Sequence, residues 1–370
     1  MKSRGQRAET KWLRRLETAL AALSDCADQV VVALDTVPSR WDRATLREVL
    51  EAVPGLAREV ARAASAARRE TPVSDDAQRR KAARDAAAAS LRSVGDLLAG
   101  LEALARFEMA PLVEPVAIGG REERLRHVLN IGWQRAEYAL NGHGEIETAN
   151  QLPETEEYFP FVPLEAPRFV GLCQAAWRVL GVQGRNQDAR FLEVGAGCGS
   201  KLLLAQEIFA VAHGLEYDTA YVAQAEQVRG LLYRTSEVFE GDAERFDGYD
   251  GYDVIYIYTP IRDRDREARL EARIYEALSP GSVVIAPIGL PAFFAQCPQI
   301  VPDLVVKGYA GAALEELRAE AERVGTVVPE IASDGVVVRQ DVLQPALSAI
   351  RGAGFATRPD LMPDGAAAGT

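Results

Sequence analysis

The chain has 370 residues, 48% hydrophobic and 26% charged, an ordinary globular balance with room for two domains. A formal net charge of −12 argues against a nucleic-acid partner. Three histidines and four scattered cysteines (Cys26, Cys173, Cys198 and Cys297) argue against a metal site and a disulfide framework, and fit a reducing cytoplasm. No apolar run approaches the roughly 20 residues a membrane span needs, so no membrane partner is expected.

Charge is unevenly spread. Residues 1–110 hold 19 Lys+Arg against 16 Asp+Glu, and the remainder holds 23 against 38. This first segment is rich in Ala, Arg and Leu. Its basic start runs into an apolar stretch broken by Glu17, Asp25 and Asp28, which reads as an amphipathic helix and not a signal peptide. Apolar residues recur at Leu13, Leu16, Leu20, Leu23, Ala27, Val30 and Leu34, in alternating steps of three and four. A second series runs from Leu46 to Ala67, where Pro54-Gly55 should kink or split the helix. A third runs from Ala87 to Ala105. Asp42 and Ser74 stand as N-caps. These segments predict a bundle of three antiparallel helices over 1–110. It serves either as a packing unit or as a dimerisation or partner-binding module.

Residues 111–120 (PLVEPVAIGG) read as a linker, and 121–143 as a helix stopping near Asn141-Gly142. The acidic, aromatic, Pro-rich stretch 147–169 reads as an ordered loop. Its Tyr158-Phe159-Pro160-Phe161-Val162-Pro163 could fold over a ligand as a lid or pack into the core. A helix over 167–180 closes this 111–180 region. From 181 to 345 short apolar runs alternate with helical ones. Strands are predicted at 190–194, 215–217, 237–240, 252–258 and 282–287, and helices at 200–213, 220–233, 264–278 and 312–324. A hairpin is predicted over 326–340. This alternation implies a parallel sheet with helices on both faces. Residues 346–370 read as a C-terminal extension with a disordered end.

Between the first strand and the next helix lies Glu193-Val194-Gly195-Ala196-Gly197-Cys198-Gly199. Glycines let a backbone turn sharply and approach a ligand, and a helix N-terminus offers unpaired N–H groups. A P-loop is excluded because Ser200 stands where its second glycine belongs and Leu202 follows Lys201. A strict dinucleotide fingerprint fails because its third glycine falls at Ser200. Lys201 reads as lying on the solvated face of its helix, and Cys198 as a space-filler.

The pattern acid-x-Gly-x-Gly-x-Gly resembles the first motif of class I S-adenosylmethionine (SAM)-dependent methyltransferases. Gly214-Leu215-Glu216-Tyr217-Asp218 and Glu240-Gly241-Asp242-Ala243 follow in the family's order. The resemblance covers about residues 160–340. It implies a Rossmann-like seven-stranded methyltransferase sheet, here with an N-terminal helical bundle. It implies SAM as cofactor, held by Glu193, Gly195, Ala196, Gly197 and Gly199, by Glu216 and Tyr217 at the ribose, by Asp242 and Ala243 at the adenine, and by Tyr258. Asp218 could substitute for Glu216 at the ribose; otherwise Glu216 is a solvated helix cap and Asp242 caps the helix that follows it.

After the fourth strand comes Tyr258-Thr259-Pro260-Ile261-Arg262-Asp263. Amino-methylating relatives often carry Asn/Asp-Pro-Pro-aromatic here. Thr-Pro-Ile lacks both the leading amide or acid and the aromatic. Tyr258 and Asp263 are the candidate proton acceptors or substrate contacts; otherwise Tyr258 packs and Asp263 pairs with Arg262 or Arg264. The expected acceptor is a small molecule or a protein, with a homodimer through the helical domain. The alternative is a non-catalytic SAM-binding adaptor whose helical domain binds a partner.

Overall fold

A computed structural model describes residues 4–67, 77–107, 109–113, 121–140, 165–230, 236–287, 293–326 and 341–355. It divides into two compact units. One is built from both chain ends, up to Met109 and from Gly325 on, and the other spans Ala110–Val324.

The first unit contains helices α1 (Arg4–Leu34), α2 (Arg43–Ala67) and α3 (Ala77–Arg106). The first apolar series becomes its core, with Leu16, Leu23, Ala27 and Val30 buried against Leu46, Val49, Val53 and Val60 of α2. From α3 the deepest residues are Ala87, Leu97, Leu101 and Leu104, while Leu91, Val94 and Leu98 of the predicted seam are only partly buried. Asp42 caps α2, its Oδ1 accepting from the Ala44 and Thr45 amides at 3.2 and 3.1 Å. Pro54 does not split α2, which runs through it. The proline removes one backbone donor, and the buried valines on either side hold the helix across the gap.

A further helix joins this unit from far along the chain. Helix α11 (Gln344–Gly352), at the start of the predicted C-terminal extension, buries Ala346, Leu347 and Ile350 in the same core. Ahead of it the Asp341 carboxylate accepts from Ser93 Oγ, and the Val342 amide donates to Ser90 Oγ at 3.2 Å. Phe355 closes the end, edge-on to Phe107 and Trp41.

In the second unit, helices α4 (Arg121–Leu140) and α5 (Ala166–Val182) precede the sheet. The strands are β1 (Arg190–Val194), β2 (Val211–Glu216), β3 (Glu237–Glu240), β4 (Val254–Ile257), β5 (Val283–Ile285), β6 (Gln299–Val301) and β7 (Leu304–Val306). The helices between and after them are α6 (Leu202–Ala205), α7 (Thr219–Arg229), α8 (Arg264–Ala277), α9 (Phe293–Gln296) and α10 (Gly311–Ala321). The sheet order is β3-β2-β1-β4-β5-β7-β6. The first five strands are parallel, and β7 runs antiparallel to both β5 and β6. One face packs on α8 through Leu270 and Ile274. The other carries Phe169 of α5 edge-on to Tyr256 and Phe191. This is the Rossmann-like sheet, and its order reverses between β1 and β4. That reversal opens a crevice at the carboxyl ends of those two strands.

Two local expectations need correction. The helix predicted over 200–213 is cut to Leu202–Ala205, because Val211–Leu215 pairs with β1 and sheet pairing overrides the helical pattern. The antiparallel pair of the sheet comes from 299–306, which the sequence pattern does not assign. Each of its strands has three residues, too few to show a period, and the turn between them puts Asp303 at φ 71°. The predicted 326–340 hairpin, the Ser74 cap, the lid segment, the 114–120 part of the linker and the C-terminal tail lie outside the described residues.

Arg178 of α5 is 1% exposed. Its guanidinium donates to the carbonyls of Val324 (2.8 Å), Pro111 (2.6 Å), Ala110 (2.7 Å) and Glu322 (3.0 Å). One cation thus gathers the backbone where the chain enters and where it leaves this unit. Arg178→Met keeps the apolar stem but removes four charge-assisted bonds, one of them to the buried Val324 carbonyl. With about 1.5–3 kcal/mol for each bond to a charged group and incomplete additivity, the expected loss is at least about 3 kcal/mol, read as a fall in the urea midpoint.

Candidate functional site

The glycine loop leaves β1 with Gly195, Gly197 and Gly199 at φ 77°, 56° and 77°, a region that side-chain-bearing residues avoid. A Cβ on Gly195 would stand 3.1 Å from Pro260 Cβ, and one on Gly199 would stand 2.4 Å from Val238 Cγ2. Gly214, in the middle of β2, leaves room for Ala196, whose Cβ would otherwise meet a Cβ at 2.6 Å. The loop is therefore pressed onto its neighbours by backbone that has no side chain in the way.

Glu216, at the end of β2, shapes the same loop. Its Oε2 accepts from the Gly197 amide at 2.7 Å and its Oε1 from the Asp218 amide at 2.9 Å. Burial raises its pKa while those two N–H groups work the other way. Each carboxylate oxygen has two acceptor sites, so both can still take a hydroxyl donor. Tyr217 beside it is 49% exposed. Asp242 follows β3. Its Oδ1 accepts from the Glu244 amide at 2.9 Å, and its Oδ2 pairs with Arg245 at 3.3 Å. The Ala243 carbonyl accepts from the Tyr249 hydroxyl at 2.8 Å.

A buried charge cluster supports the loop. Glu193 points into the core at 1% exposure and pairs with Lys201 Nζ at 3.1 Å. Lys201 is 5% exposed, which corrects its reading as a solvated residue. Its ammonium also lies 5.8 Å from the Tyr256 ring centroid. Glu137 of α4 is fully buried and accepts from Ser200 Oγ at 3.0 Å. Burial lifts the Glu193 pKa to about 7, against the pull of Lys201. Burial opposes the lysine charge, but Glu193 and Glu137 outweigh it and hold the lysine pKa above its ordinary value. Burial also pushes the Cys198 thiol up to about 11, which suits a filler and not a nucleophile.

The segment after β4 faces the crevice. Thr259 has φ 44°. It is β-branched and precedes a proline, so this conformation is strained, by about 1–3 kcal/mol for such outliers. Tyr258 is half-buried at the strand end. Nearby, Arg168 of α5 pairs with Asp303, and its charge is favoured first by that bond and more weakly by Tyr258. Asp263 turns out to be the N-cap of α8, its Oδ1 accepting from the Asp265 and Arg266 amides at 3.0 and 2.9 Å. The amide bond from Arg266, more than any other influence, lowers its pKa, so it is a poor proton acceptor.

The structure thus places the Glu193, Glu216 and glycine-loop candidates in one contiguous assembly. Asp242 and Ala243 follow the neighbouring strand, and Tyr258 lies one residue beyond β4. Glu137, Arg168 and Glu267 were not singled out, because spacing alone does not mark which charged residue of a helix finds a distant partner. Among the described residues no group of three or more His, Cys, Asp or Glu is placed to hold a metal, and no helix is long and apolar enough to cross a membrane.

This sheet order, with a glycine loop at the β1 end, is the Rossmann-like fold that class I SAM-dependent methyltransferases share. No family model and no curated protein matches the chain. Solved structures do match. The sugar N-methyltransferase KedS8 from Streptoalloteichus sp ATCC 53650 is 24% identical over 32% of this chain and 48% of its own, with a TM-score of 0.27. CalS10, an amino pentose methyltransferase from Micromonospora echinaspora solved with SAM bound, is 21% identical over 36% and 59%, with a TM-score of 0.24. A SAM-dependent methyltransferase from Mesorhizobium loti is 22% identical over 27% and 46%, with a TM-score of 0.24. The chain spans about half the length of these proteins.

The charge cluster has a pH signature. A Glu193 value near 7 in the fold against 4.5 outside it means that the folded state keeps a proton the unfolded chain has lost. Stability therefore falls as pH rises from about 4.5 to about 7. Lys201→Met removes the only cation seen on Glu193 among the described residues, so this fall should deepen and extend to higher pH. Urea midpoints at pH 5.5 and 8.5 should diverge more in the variant than in the wild type.

Proposed function

We propose that the chain binds SAM at the carboxyl ends of β1, β2 and β3 and transfers its methyl group to a small-molecule or protein acceptor. The observation that carries this reading is the Glu216 carboxylate. It ties the glycine loop to the end of β2 and keeps acceptor capacity toward the crevice. A neighbouring hydroxyl pair, as on a ribose, is a natural donor to it. Asp242 is the proposed partner of the adenine amino group, with Ala243 beside it. Tyr217 is proposed to line the nucleoside, and Gly195, Ala196, Gly197 and Gly199 to let it approach the backbone.

When bound, SAM supplies an electrophilic methyl on a sulfonium. The residues of this chain have to align an acceptor with that methyl, and orientation supplies much of the rate. The Tyr258-Thr259-Pro260 turn is the acceptor-side wall in this reading, with Pro260 packed on Gly195. Tyr258 is the candidate proton acceptor for an acceptor that carries a proton. Asp263 is withdrawn from that role by its capping bonds. Glu193 acts beneath the loop, through Lys201, and not as a direct ligand. The helical unit is proposed to mediate partner binding or homodimer formation, in the cytoplasm. No specific observation favours the adaptor alternative.

Calorimetric titration with SAM and S-adenosylhomocysteine tests the reading, with micromolar affinity expected for at least one. Asp242→Ala should weaken that affinity about tenfold or more, which is about 1.4 kcal/mol. Glu216→Ala should weaken it further, because the loop loses its tie as well. An Asp242→Ala variant that binds like the wild type overturns the adenine assignment. Absence of binding by the wild type overturns the reading.

A further inference from the structure

Helix α8 carries polar tethers to three segments near the carboxyl edge of the sheet. Arg266 pairs with Glu244, two residues beyond Asp242. Glu267 Oε2 accepts from the Ile261 amide at 3.1 Å, in the turn after β4. Glu271 Oε2 accepts from the Phe294 amide at 2.8 Å, at the start of α9. Glu267 and Glu271 stand one turn apart and are 3% and 0% exposed. The Oε1 atom of each is buried with no hydrogen-bond partner among the described residues.

The turn that Glu267 holds is the strained one. Thr259 keeps its left-handed φ while Pro260 leans on Gly195 and Ile261 is buried beneath. A strained turn persists only where its surroundings over-determine it. Ile261 supplies the apolar anchor, and its amide needs an acceptor in a place water does not reach. Glu267 is that acceptor.

We infer that Glu267 is a positioning residue that fixes the Thr259-Pro260-Ile261 turn against the glycine loop, and that it does so as a neutral carboxylic acid. This goes beyond the proposed function and rests on it only for the turn's acceptor-side role. A neutral acid fits the surroundings. The charged groups acting on Glu267 are Glu271 on its own helix and Glu244 from the segment after β3, both acids, the second already paired with Arg266. Burial lifts the Glu267 pKa to about 8, against the Ile261 bond, and the two acids add to the rise. The neutral carboxyl still offers a carbonyl oxygen to the Ile261 amide. Ionisation above pH 8 places an uncompensated charge beside Glu271, and the turn should loosen there.

Two measurements on the full chain decide this. The first is amide hydrogen exchange in peptides covering 258–263, corrected for intrinsic rates, at pH 7 and 9.5. Wild type should lose protection in this segment about tenfold between the two values. Glu267→Gln, which keeps a carbonyl acceptor and cannot ionise, should match wild type at pH 7 and stay protected at 9.5. Glu267→Ala should exchange at least tenfold faster at pH 7, with β1 and β4 peptides unchanged. The second is S-adenosylhomocysteine affinity at pH 7, expected within twofold of wild type for Glu267→Gln and weaker by fivefold or more for Glu267→Ala. A protected 258–263 segment in Glu267→Ala overturns the inference, as does the same pH response in wild type and Glu267→Gln. If Glu267→Ala does not fold, the comparison of wild type with Glu267→Gln still decides. If wild type binds no ligand, the proposed function fails while hydrogen exchange still rules on Glu267.

Discussion

Under the glycine loop an ammonium and two carboxyls share a space that water barely enters. Lys201 pairs with Glu193 on β1, and Glu137 reaches Ser200 from α4. Removing three ionisable groups from water is expensive, and attraction between them repays the cost only when the geometry is tight. Burial lifts Glu193 to about 7 against the pull of Lys201, and the second acid, Glu137, adds a smaller push the same way. Such a cluster is a poor source of stability and a good source of register. The strand end, the residues just after the loop and helix α4 can meet in only one way if every charge is to be answered.

Above that cluster the same economy recurs with backbone amides as donors. Glu216 accepts from Gly197 and Asp218, Asp263 from Asp265 and Arg266, Glu267 from Ile261, and Glu271 from Phe294. Loops at the carboxyl edge of a parallel sheet have no ladder to satisfy their N–H groups, and side-chain carboxyls take that place. This gives the crevice a backbone held at several points while its own surface stays open. It also explains part of the acidity of the second half of the sequence. Several of those acids face inward, where they raise no repulsion because they are capped, paired or protonated.

The sequence exposed the parts of this design that repeat or that permit only one residue type. Strands β1 and β3 keep their predicted limits, and β4 falls within its predicted range. The glycine loop is legible because three left-handed positions demand glycine. Helix α8 keeps close to its predicted range, while its cap Asp263 and the two acids of its inner face, Glu267 and Glu271, were not read as such. What stays hidden depends on distant partners. Val211–His213 looks helical until β1 and β3 flank it. Lys201 looks like any helical lysine until Glu193 and Glu137 converge on it. Asp263 was read as a candidate proton acceptor, and the structure shows it capping α8.

The helical unit raises a constraint of another kind, since its core is discontinuous in sequence. Leu347 and Ile350 of α11 pack with residues more than 240 positions earlier, and the whole sheet lies between them in the chain. During synthesis the first three helices emerge with part of their apolar face uncovered, and α11 arrives only after the sheet has been made. Closing so long a loop costs entropy that grows only logarithmically with its length. A folded intervening unit lowers that cost further if it holds its two ends together, and Arg178 does so. Its guanidinium binds Ala110 and Pro111 at the entry and Glu322 and Val324 at the exit. The long connection then behaves as a short one, and the first unit can recruit its last helix at the cost of a modest loop.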